Sequence, residues 1–359
     1  MKLEIMDEPF KDKEWDEFAA MNNGTVFHLS AWSIILNKIY GFRPFFIKVY
    51  ESNELITILP MFELTTIFGR IMKVPFFTYS NMIFQSGLSR TKKYVAAKCI
   101  VNLLKHRATA LRARMVEIRG LECEDDHILS ALGFCEDKRY KHVTFILDLH
   151  TEPEALFHSL KKSVRWSIRK AKRSGVRVVR VQGTRALDVF YPLYLRRMKE
   201  LGTPPNPKSF FRLIVKELGH QTTRLYIAVV EGKAVAAAIF YKFADKLYYG
   251  SSASLTEYRS LQPISLILWK AIEDGISERA HLLDFGRTRI GTGVFDFKKR
   301  WNGRLRNLSV YVLAKKPKRV PFIDPNNPRF LGLATLWSKV IPLFITASMG
   351  QLIRRFVGW

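Results

Sequence analysis

The stretch Leu283–Gly303, LDFGRTRIGTGVFDFKKRWNG, joins a short apolar strand to a loop rich in glycine and charge. Leu283 and Phe285 flank Asp284 as they would in a buried strand, and Gly286 ends the apolar run. Side chains at strand ends and on the loops that follow border the ligand crevice of α/β sheets. The stretch therefore predicts an α/β protein with a site at this turn. An ordinary surface loop in which Asp284 pairs with an arginine is the alternative.

Three charged side chains of this stretch are candidate site residues. Asp284 lies at the predicted strand end, and Arg287 and Arg289 lie on the loop beside it. We expect Arg287 to hold a phosphate or carboxylate of the substrate, because guanidinium groups bind such groups bidentately. Asp284 would orient Arg287 or accept a proton, and its place at a strand end favours orientation.

Three further segments accompany this stretch: WSIILNKIYGFRP from Trp32, LKKSVRWSIRKAKRSGVRV from Leu160 and FYPLYLRRMKELGTPPNPKSFF from Phe190. Together the four segments resemble the FemAB-like transferases, in particular the branch associated with exopolysaccharide and PEP-CTERM protein-sorting systems. The resemblance covers roughly residues 25–313, and four matches in the same order are more specific than any one of them.

The resemblance implies two tandem GNAT-like acyltransferase domains and the transfer of an activated acyl or aminoacyl group to an amine. The best known members of the family use aminoacyl-tRNA to build peptidoglycan cross-bridges. Lys298 matches the lysine to which the family attributes stabilisation of the oxyanion, and we therefore predict that it is catalytic together with Asp284 and Arg287. Trp32, in the first segment, and Tyr249 are predicted to bind substrate.

The strong positive charge of the chain indicates which classes of partner it attracts. The 359 residues carry 58 Lys and Arg against 32 Asp and Glu, a formal net charge of +26. Such a field attracts polyanions such as RNA, diphosphate-lipids or an anionic membrane surface, and the charge alone does not say which. Together with the family resemblance, we expect an anionic lipid-linked or saccharide acceptor, tRNA and an anionic membrane surface as partners, and no DNA. The three cysteines lack metal-ligand spacing, and no metal site is predicted. Oligomeric state is left open.

The length suits two domains of ordinary size. Residues 1–150 alternate helical and strand patterns, among them a helix from Trp32 to Ile39, capped by Ser30, and a hairpin within 45–62. Residues 151–315 form the predicted second domain, and residues 316–359 a linker and tail. The N-terminus contains acids and no apolar core, so we predict no signal peptide and a cytoplasmic protein at the inner face of the membrane.

A basic helix opens the predicted second domain. Thr151 and Glu154 have the spacing of a capping box, and Gly175 is placed to end the helix. No acidic residue occurs between positions 156 and 181. Like charges at helical spacing cost stability, so an anionic partner is favoured over a merely solvated face, which remains the alternative. The predicted substrate-binding residues of this helix are Arg165, Arg169 and Lys170.

The predicted strands 225–230, 234–243 and 247–250, followed by the helix 264–275, have the order of a GNAT core. In GNAT enzymes a glycine-rich loop before this helix cradles the coenzyme A pyrophosphate with free N–H groups. Here the equivalent loop, 258–263, has no glycine and ends in proline. We therefore expect no tightly bound cofactor and a co-substrate that is aminoacyl-tRNA or an acyl thioester, with coenzyme A bound in the usual manner disfavoured.

The last 30 residues differ in kind from the rest of the chain. Residues 330–359 contain no acid, and Pro342 interrupts an apolar pattern too short for a membrane span. Such an amphipathic tail predicts an interfacial helix pair with Arg354, Arg355 and Trp359 at the headgroup level. A tail docked on the second domain is the alternative.

Three functions follow from these patterns. The first is transfer of an aminoacyl or acyl group to an amine of a cell-envelope precursor or polysaccharide, as in the peptidoglycan-bridge aminoacyltransferases. The second is N-acyl transfer, such as acetylation, from a thioester donor in an exopolysaccharide or protein-sorting system. The third is a basic RNA-binding or scaffold protein without catalysis.

Overall fold

The structure is a computed structural model that describes residues 1–121, 126–317, 320–322 and 328–358, with side chains from residue 332 in the last range. By its internal contacts the chain divides into two units. Unit 1 contains residues 1–142, 307–323 and 352–359, and unit 2 contains residues 143–306 and 324–351. Residues 316–359, predicted as one segment, are thus shared between the units. Cys123, positions 318, 319 and 323–327 of the predicted linker, and Trp359, which was predicted at the headgroup level, lie outside the described residues.

Unit 1 combines helices with antiparallel hairpins. Its elements are β1 (Lys2–Met6), α1 (Lys13–Met21), α2 (Ala31–Tyr40), β2 (Arg43–Pro44), β3 (Phe46–Glu51), β4 (Glu54–Leu59), β5 (Phe62–Thr66), β6 (Gly69–Met72), β7 (Ile83–Phe84), α3 (Arg90–Ala110), β8 (Val116–Leu121), α4 (Asp126–Ala131) and β9 (Cys135–Glu136). One sheet has the order β1-β3-β4-β7. The strands β8, β6, β5 and β2 follow one another in a second sheet, in which β6 and β8 are parallel.

The hairpin within 45–62 and the helix from Trp32 to Ile39, both predicted for unit 1, are present. The strands β3 and β4 pair antiparallel, and α2 ends at Gly41 in the left-handed conformation with φ of 69°. The start of α2 differs from the prediction, because the Ser30 side chain makes no capping hydrogen bond to this helix. Its hydroxyl donates instead to Asp16 Oδ2 at 3.1 Å, which ties the start of α2 to α1.

Unit 2 is an α/β sandwich around a mostly antiparallel sheet. Its elements in chain order are β10 (His142–Asp148), α5 (Pro153–Ser159), α6 (Lys162–Arg173), β11 (Arg177–Val181), α7 (Leu187–Glu200), α8 (Lys208–Thr222), β12 (Thr223–Val230), β13 (Lys233–Phe243), β14 (Lys246–Ser254), α9 (Pro263–Ser277), β15 (Leu282–Asp284), β16 (Thr288–Arg289) and α10 (Gly293–Lys299). The strand β17 (Arg304–Leu313) follows, and its residues from 307 onward belong to unit 1. The sheet order is β11-β12-β13-β14-β15-β10. Only the β14–β15 pair among these is parallel.

The core of unit 2 lies between its sheet and the helices α5, α6 and α9. Val164 and Ile168 of α6 pack with Ile267 of α9 and with the strand residues Tyr226 and Phe240 in one buried cluster. The apolar spacing of α6 and the alternation of the strands therefore converge on the same core. The α/β class and the GNAT order of strands and helices predicted from the sequence are confirmed.

The basic helix predicted from Thr151 to Gly175 is two helices. Leu160 and Lys161 have extended backbone, with ψ of 152° and 144°, and separate α5 from α6. Glu152 rather than Thr151 precedes α5, and its side chain makes no capping bond, so the predicted capping box was wrong. Leu160 remains buried at the break, which explains why the apolar spacing concealed it.

The tail forms α11 (Pro328–Lys339) and α12 (Leu343–Val357), with Pro342 between them as expected. Trp337 of α11 is buried, whereas Leu333, Val340 and Phe344 are exposed. The tail in unit 2 thus has one docked side and one apolar solvent-facing side. Within the described part of the chain, no helix is both long and apolar enough to cross a bilayer.

Candidate functional site

Asp284 ends β15 and is fixed by two hydrogen bonds. Its side chain is buried, and Oδ1 accepts from the Thr144 hydroxyl at 2.5 Å and from the Gly286 N–H at 2.7 Å. The second bond closes a turn in which Gly286 has φ of 70°, a conformation that favours glycine. This arrangement suits a carboxylate that positions the turn.

Lys298 reaches the same turn from α10. Its side chain is 5% exposed, and Nζ donates to the carbonyl oxygens of Gly286 at 2.8 Å and Arg287 at 3.2 Å. Thr292 starts α10, because its hydroxyl accepts from the Phe295 N–H at 3.2 Å. The glycine-rich loop therefore turns the chain so that the ammonium of Lys298 lies against the backbone that follows Asp284.

The charge on Lys298 is easily lost. Burial lowers the pKa of Lys298 to about 8, the Asp284 carboxylate opposes this change, and the Arg287 guanidinium adds to it. With that pKa, about nine-tenths of the amines are protonated at pH 7. The Lys298 amine is thus mostly protonated at neutral pH, and it loses its proton more readily than an ordinary lysine does.

The strands β14 and β15 part beside this turn. They pair through Lys246–Leu282, Leu247–Leu283 and Tyr248–Asp284, and β14 then continues to Ser254. In the same segment β14 carries one more residue than β13, a bulge that bends the strand. The ladder between β14 and β15 therefore ends at Tyr248 and Asp284.

Tyr249 lies where the two strands part. Its hydroxyl donates to Ser252 Oγ at 2.5 Å, and its ring centroid lies 6.4 Å from that of Phe285. Burial raises the pKa of Tyr249 to about 12, so the hydroxyl remains protonated near neutral pH. Tyr249 therefore offers this region a hydroxyl and an aromatic face, as a contact residue would.

The helix α9 begins without a glycine-rich cradle. A 3₁₀ turn, Thr256–Leu261, leads to Gln262 with φ of 61°, and Pro263 is the first helical residue. Pro263 has no N–H, so the helix start has one donor fewer for a pyrophosphate. The predicted helix is confirmed, and the loop before it lacks the features of a coenzyme A site.

The helix α6 presents its basic residues outward. Val164, Ser167 and Ile168 are buried, while Arg169 lies over the Phe157 ring at 5.3 Å and Lys170 over Trp166 at 5.0 Å. Trp166 is 50% exposed. Arg165 is half-buried, and its Nε has no hydrogen-bond partner among the described residues. These groups form a basic, partly aromatic face that is separate from the turn at Lys298.

The structure brings together only some of the predicted site residues. Those around the β15 turn are Asp284, Arg287, Arg289, Lys298 and Tyr249, with Arg287 and Arg289 half-buried. Thr144, which bonds to Asp284, was missed, since it lies 140 residues away in sequence and a single threonine in a strand carries no signal.

Trp32, predicted to bind substrate, lies in the buried core of unit 1. Trp32 is 1% exposed in unit 1, and its indole N–H donates to the Val26 carbonyl at 2.8 Å. Its ring packs against Phe77 with centroids 4.3 Å apart. A large aromatic ring gains most from full burial, and that gain places Trp32 in the core.

Comparison with known proteins supports the fold and the family resemblance found in the sequence. A family model described as an acetyltransferase (GNAT) domain matches residues 158–299. A UDP-N-acetylmuramoylpentapeptide-lysine N(6)-alanyltransferase of Weissella viridescens is 27% identical over 118 residues, which are 32% of this chain and 34% of that protein. The chain thus matches about a third of the length of this curated relative.

Solved structures extend the likeness to both units. The crystal structure of FemX has a TM-score of 0.68 and 18% identity, and the match covers 87% of this chain and 98% of FemX. The L-PGS of Bacillus licheniformis has a TM-score of 0.56 and 12% identity, covering 94% and 98%. A tandem GNAT protein from the clavulanic acid biosynthesis pathway has a TM-score of 0.54 and 12% identity, covering 88% and 99%. The chain thus shares its fold with these proteins across both units, and the acetyltransferase (GNAT) domain matches within residues 158–299.

Proposed function

We propose that the protein transfers an activated aminoacyl or acyl group to an amine of a cell-envelope precursor. The observation that carries the proposal is the buried ammonium of Lys298, held beside Asp284 at the turn after β15 in the GNAT domain. The name of the alanyltransferase that is 27% identical to this chain over 118 residues supports this reaction class.

The reaction needs a cation more than a base. The amine nitrogen attacks the ester carbonyl, a tetrahedral oxyanion forms, the carbon–oxygen bond breaks, and the proton of the amine passes to the leaving hydroxyl. Fixed donors at the developing negative charge supply most of the acceleration in such steps. Lys298 uses two N–H groups on backbone carbonyls and keeps a third for the oxyanion.

Asp284 and the arginines have supporting roles in this proposal. Asp284 holds the turn through Gly286 and keeps the Lys298 amine charged. Arg287 and Arg289, on the loop that follows, bind phosphate or carboxylate groups of the acceptor. Tyr249 lines the gap between β14 and β15, where the acyl group enters.

Aminoacyl-tRNA is the donor that the structure favours. The start of α9 lacks glycine and one N–H donor, which weakens binding of a coenzyme A pyrophosphate. The basic face of α6, with the exposed ring of Trp166, suits a nucleic acid that presents phosphates and bases. Arg165, Arg169 and Lys170 contact tRNA phosphates in this proposal.

A second candidate is N-acyl transfer from a thioester. The matching family model is described as an acetyltransferase domain, and the gap between β14 and β15 accepts an acyl group of either origin. The association with exopolysaccharide or protein-sorting systems belongs with this candidate and stays a prediction.

We place the enzyme on the inner face of the cell membrane, where a lipid-linked or saccharide acceptor is available. The acid-free tail and the net charge of +26 support this location. The acceptor itself is anionic, because the site loop carries two arginines and only one buried carboxylate.

The test supplies the purified protein with an amine-bearing muropeptide nucleotide and, separately, with a mixture of aminoacylated tRNAs or with acetyl-coenzyme A. We expect an amide product with the tRNA mixture, and loss of that product when RNase is added first. Product with acetyl-coenzyme A alone would favour the second candidate. Absence of product with both donors, in a protein that still binds tRNA, would contradict catalysis.

A further inference from the structure

Unit 1 contains a cleft that the proposed reaction does not use. It has a volume of about 380 Å³ and lies between the end of α2, the β5–β6 hairpin and the C-terminal residues. Three arginines line it from three separate parts of the chain: Arg43, Arg70 and Arg355. Because the C-terminal residues 352–359 belong to unit 1, the cleft is a feature of that unit alone.

The charge in this cleft is positive. The carboxylate in its described lining, that of Glu63, accepts from Arg107 Nε at 2.6 Å and is thereby neutralised. Arg43 pairs with Asp7 at 2.6 Å, both side chains being about half exposed. Arg70 donates to the Leu111 carbonyl at 3.3 Å, a bond that leaves its charge uncompensated. Such guanidinium groups match the geometry of a phosphate.

Apolar side chains stand exposed at the edge of the same cleft. The Ile67 N–H donates to the Phe356 carbonyl at 2.9 Å, so the hairpin tip and the chain end lie side by side. Ile67 is 69% exposed, Leu352 55% and Phe356 41%. Large apolar groups that remain exposed beside a basic cluster are characteristic of surfaces that enter the interface of a membrane.

The last residues of α12 and Gly358 make defined contacts with the rest of unit 1. Gly358 has φ of 69°, and a side chain there would meet Leu64 Cδ2 at 3.0 Å. Arg354 lies over the Phe76 ring at 5.4 Å, which holds the last helical turn on unit 1. The apolar and basic residues are therefore presented as one fixed surface. No acidic side chain follows Asp324 in the sequence.

We infer that this surface, comprising Arg43, Arg70, Arg355, Ile67, Leu352 and Phe356, binds an anionic phospholipid bilayer. The arginines hold a lipid phosphate in the cleft while the three apolar side chains enter the boundary of the acyl chains. The inference rests on the proposed location at the membrane and adds the surface that produces it. An RNA ligand would use the arginines but would leave the apolar edge in water.

The test measures binding of the full chain to vesicles that contain 30% phosphatidylglycerol in phosphatidylcholine. We expect Arg70→Glu with Arg355→Glu to lower the partition coefficient by at least about 30-fold, since loss of two lipid-facing basic residues alone costs about 2 kcal/mol and the reversal of their charge adds to that loss. The matched control is Lys98→Glu with Lys105→Glu, which makes the same change of charge on the exposed face of α3. Equal weakening in both pairs would overturn the inference in favour of a general charge effect.

A second pair of variants tests the apolar edge. Ile67→Ser with Phe356→Ser should abolish the fraction bound at 0.5 M salt, because apolar insertion is not screened whereas the arginine contribution is. Met21→Ser with Val95→Ser, exposed elsewhere in unit 1, should keep that fraction. Unchanged salt-resistant binding in the first pair, or competition of tRNA for wild-type binding, would overturn the inference.

The outcome is separable from that of the proposed reaction. Transfer to a water-soluble amine acceptor, measured on the same variants, should stay within about twofold of wild type, since none of the residues lies in the GNAT domain of unit 2. Vesicle binding without transfer would contradict the reaction alone, and transfer without vesicle binding would contradict the surface alone.

Discussion

The Nζ atom of Lys298 lies 2.8 Å from the carbonyl oxygen of Gly286, the residue whose N–H binds Asp284. The lysine, the turn and the carboxylate thus form one hydrogen-bonded unit. A change at Lys298 acts on the charge of the site and also on the backbone of the turn. Experiments on this residue must separate the two effects.

Lys298→Met should lower the rate of transfer by about 100- to 1000-fold, the usual cost of losing one oxyanion partner. Methionine fills a similar volume and removes a buried charge, so the free energy of unfolding should fall by no more than about 1–3 kcal/mol, the cost of two carbonyls without a donor. Rates come from single-turnover assays and stability from urea unfolding. Lys299→Met, on the exposed side of α10, is the control and should be nearly silent.

The pH dependence should reveal the lowered pKa of Lys298. Because the pKa is about 8 in the folded protein, transfer should decline as pH rises through that value and the cation is lost. Lys298→Arg should remove this decline, since arginine stays charged. A wild-type profile that keeps rising above pH 9 would contradict the role of the cation.

The free energy of unfolding should respond to pH in the opposite direction to the transfer rate. Between about 8 and the ordinary lysine value of 10.5, the unfolded chain binds more protons at Lys298 than the folded protein does. The free energy of unfolding therefore gains a contribution that increases with pH across this window. Subtracting the curve of Lys298→Met from that of the wild type isolates the contribution, and a negative slope would show that the pKa is raised instead.

Thr144→Val should impair catalysis although residue 144 has no substrate contact in the proposed site. The variant removes the hydroxyl that donates to buried Asp284 Oδ1, which should cost about 1–3 kcal/mol of stability. We expect kcat to fall while KM stays nearly constant, because the turn that holds Lys298 loosens. Thr144→Ser retains the hydroxyl and should recover most of the rate; a change confined to KM would argue against positioning.

The triple replacement Arg165→Gln, Arg169→Gln and Lys170→Gln should weaken tRNA binding. Removing each phosphate contact should also reduce the slope of log affinity against log salt by about 0.7–0.9. The control replaces three exposed lysines of unit 1, Lys98, Lys105 and Lys138, by Gln. Equal effects in both triples would mean that α6 is a solvated face.

Local patterns predicted the site turn well and long-range contacts poorly. Phe295, Lys298 and Trp301 are spaced by three residues, so the helical phase places Lys298 on the same side as two packed aromatic residues. The strands β12–β14 were evident because their alternation and turns are local. The break at Leu160 was hidden, since an extended residue there preserves the apolar spacing. The pairing of Ile67 with Phe356 joins distant positions that carry no shared pattern.

The division of the chain has a consequence for synthesis. Unit 1 is completed by residues 307–323 and 352–359, and β17 pairs with β8 through Leu308–Leu121 and its neighbours. At about 5–20 residues per second, the ribosome needs roughly 10–40 seconds to pass from one partner strand to the other. Throughout that interval β8 lacks its neighbour while unit 2 is already emerging. We therefore expect the incomplete unit 1 to be the part of the nascent chain that chaperones protect during this interval.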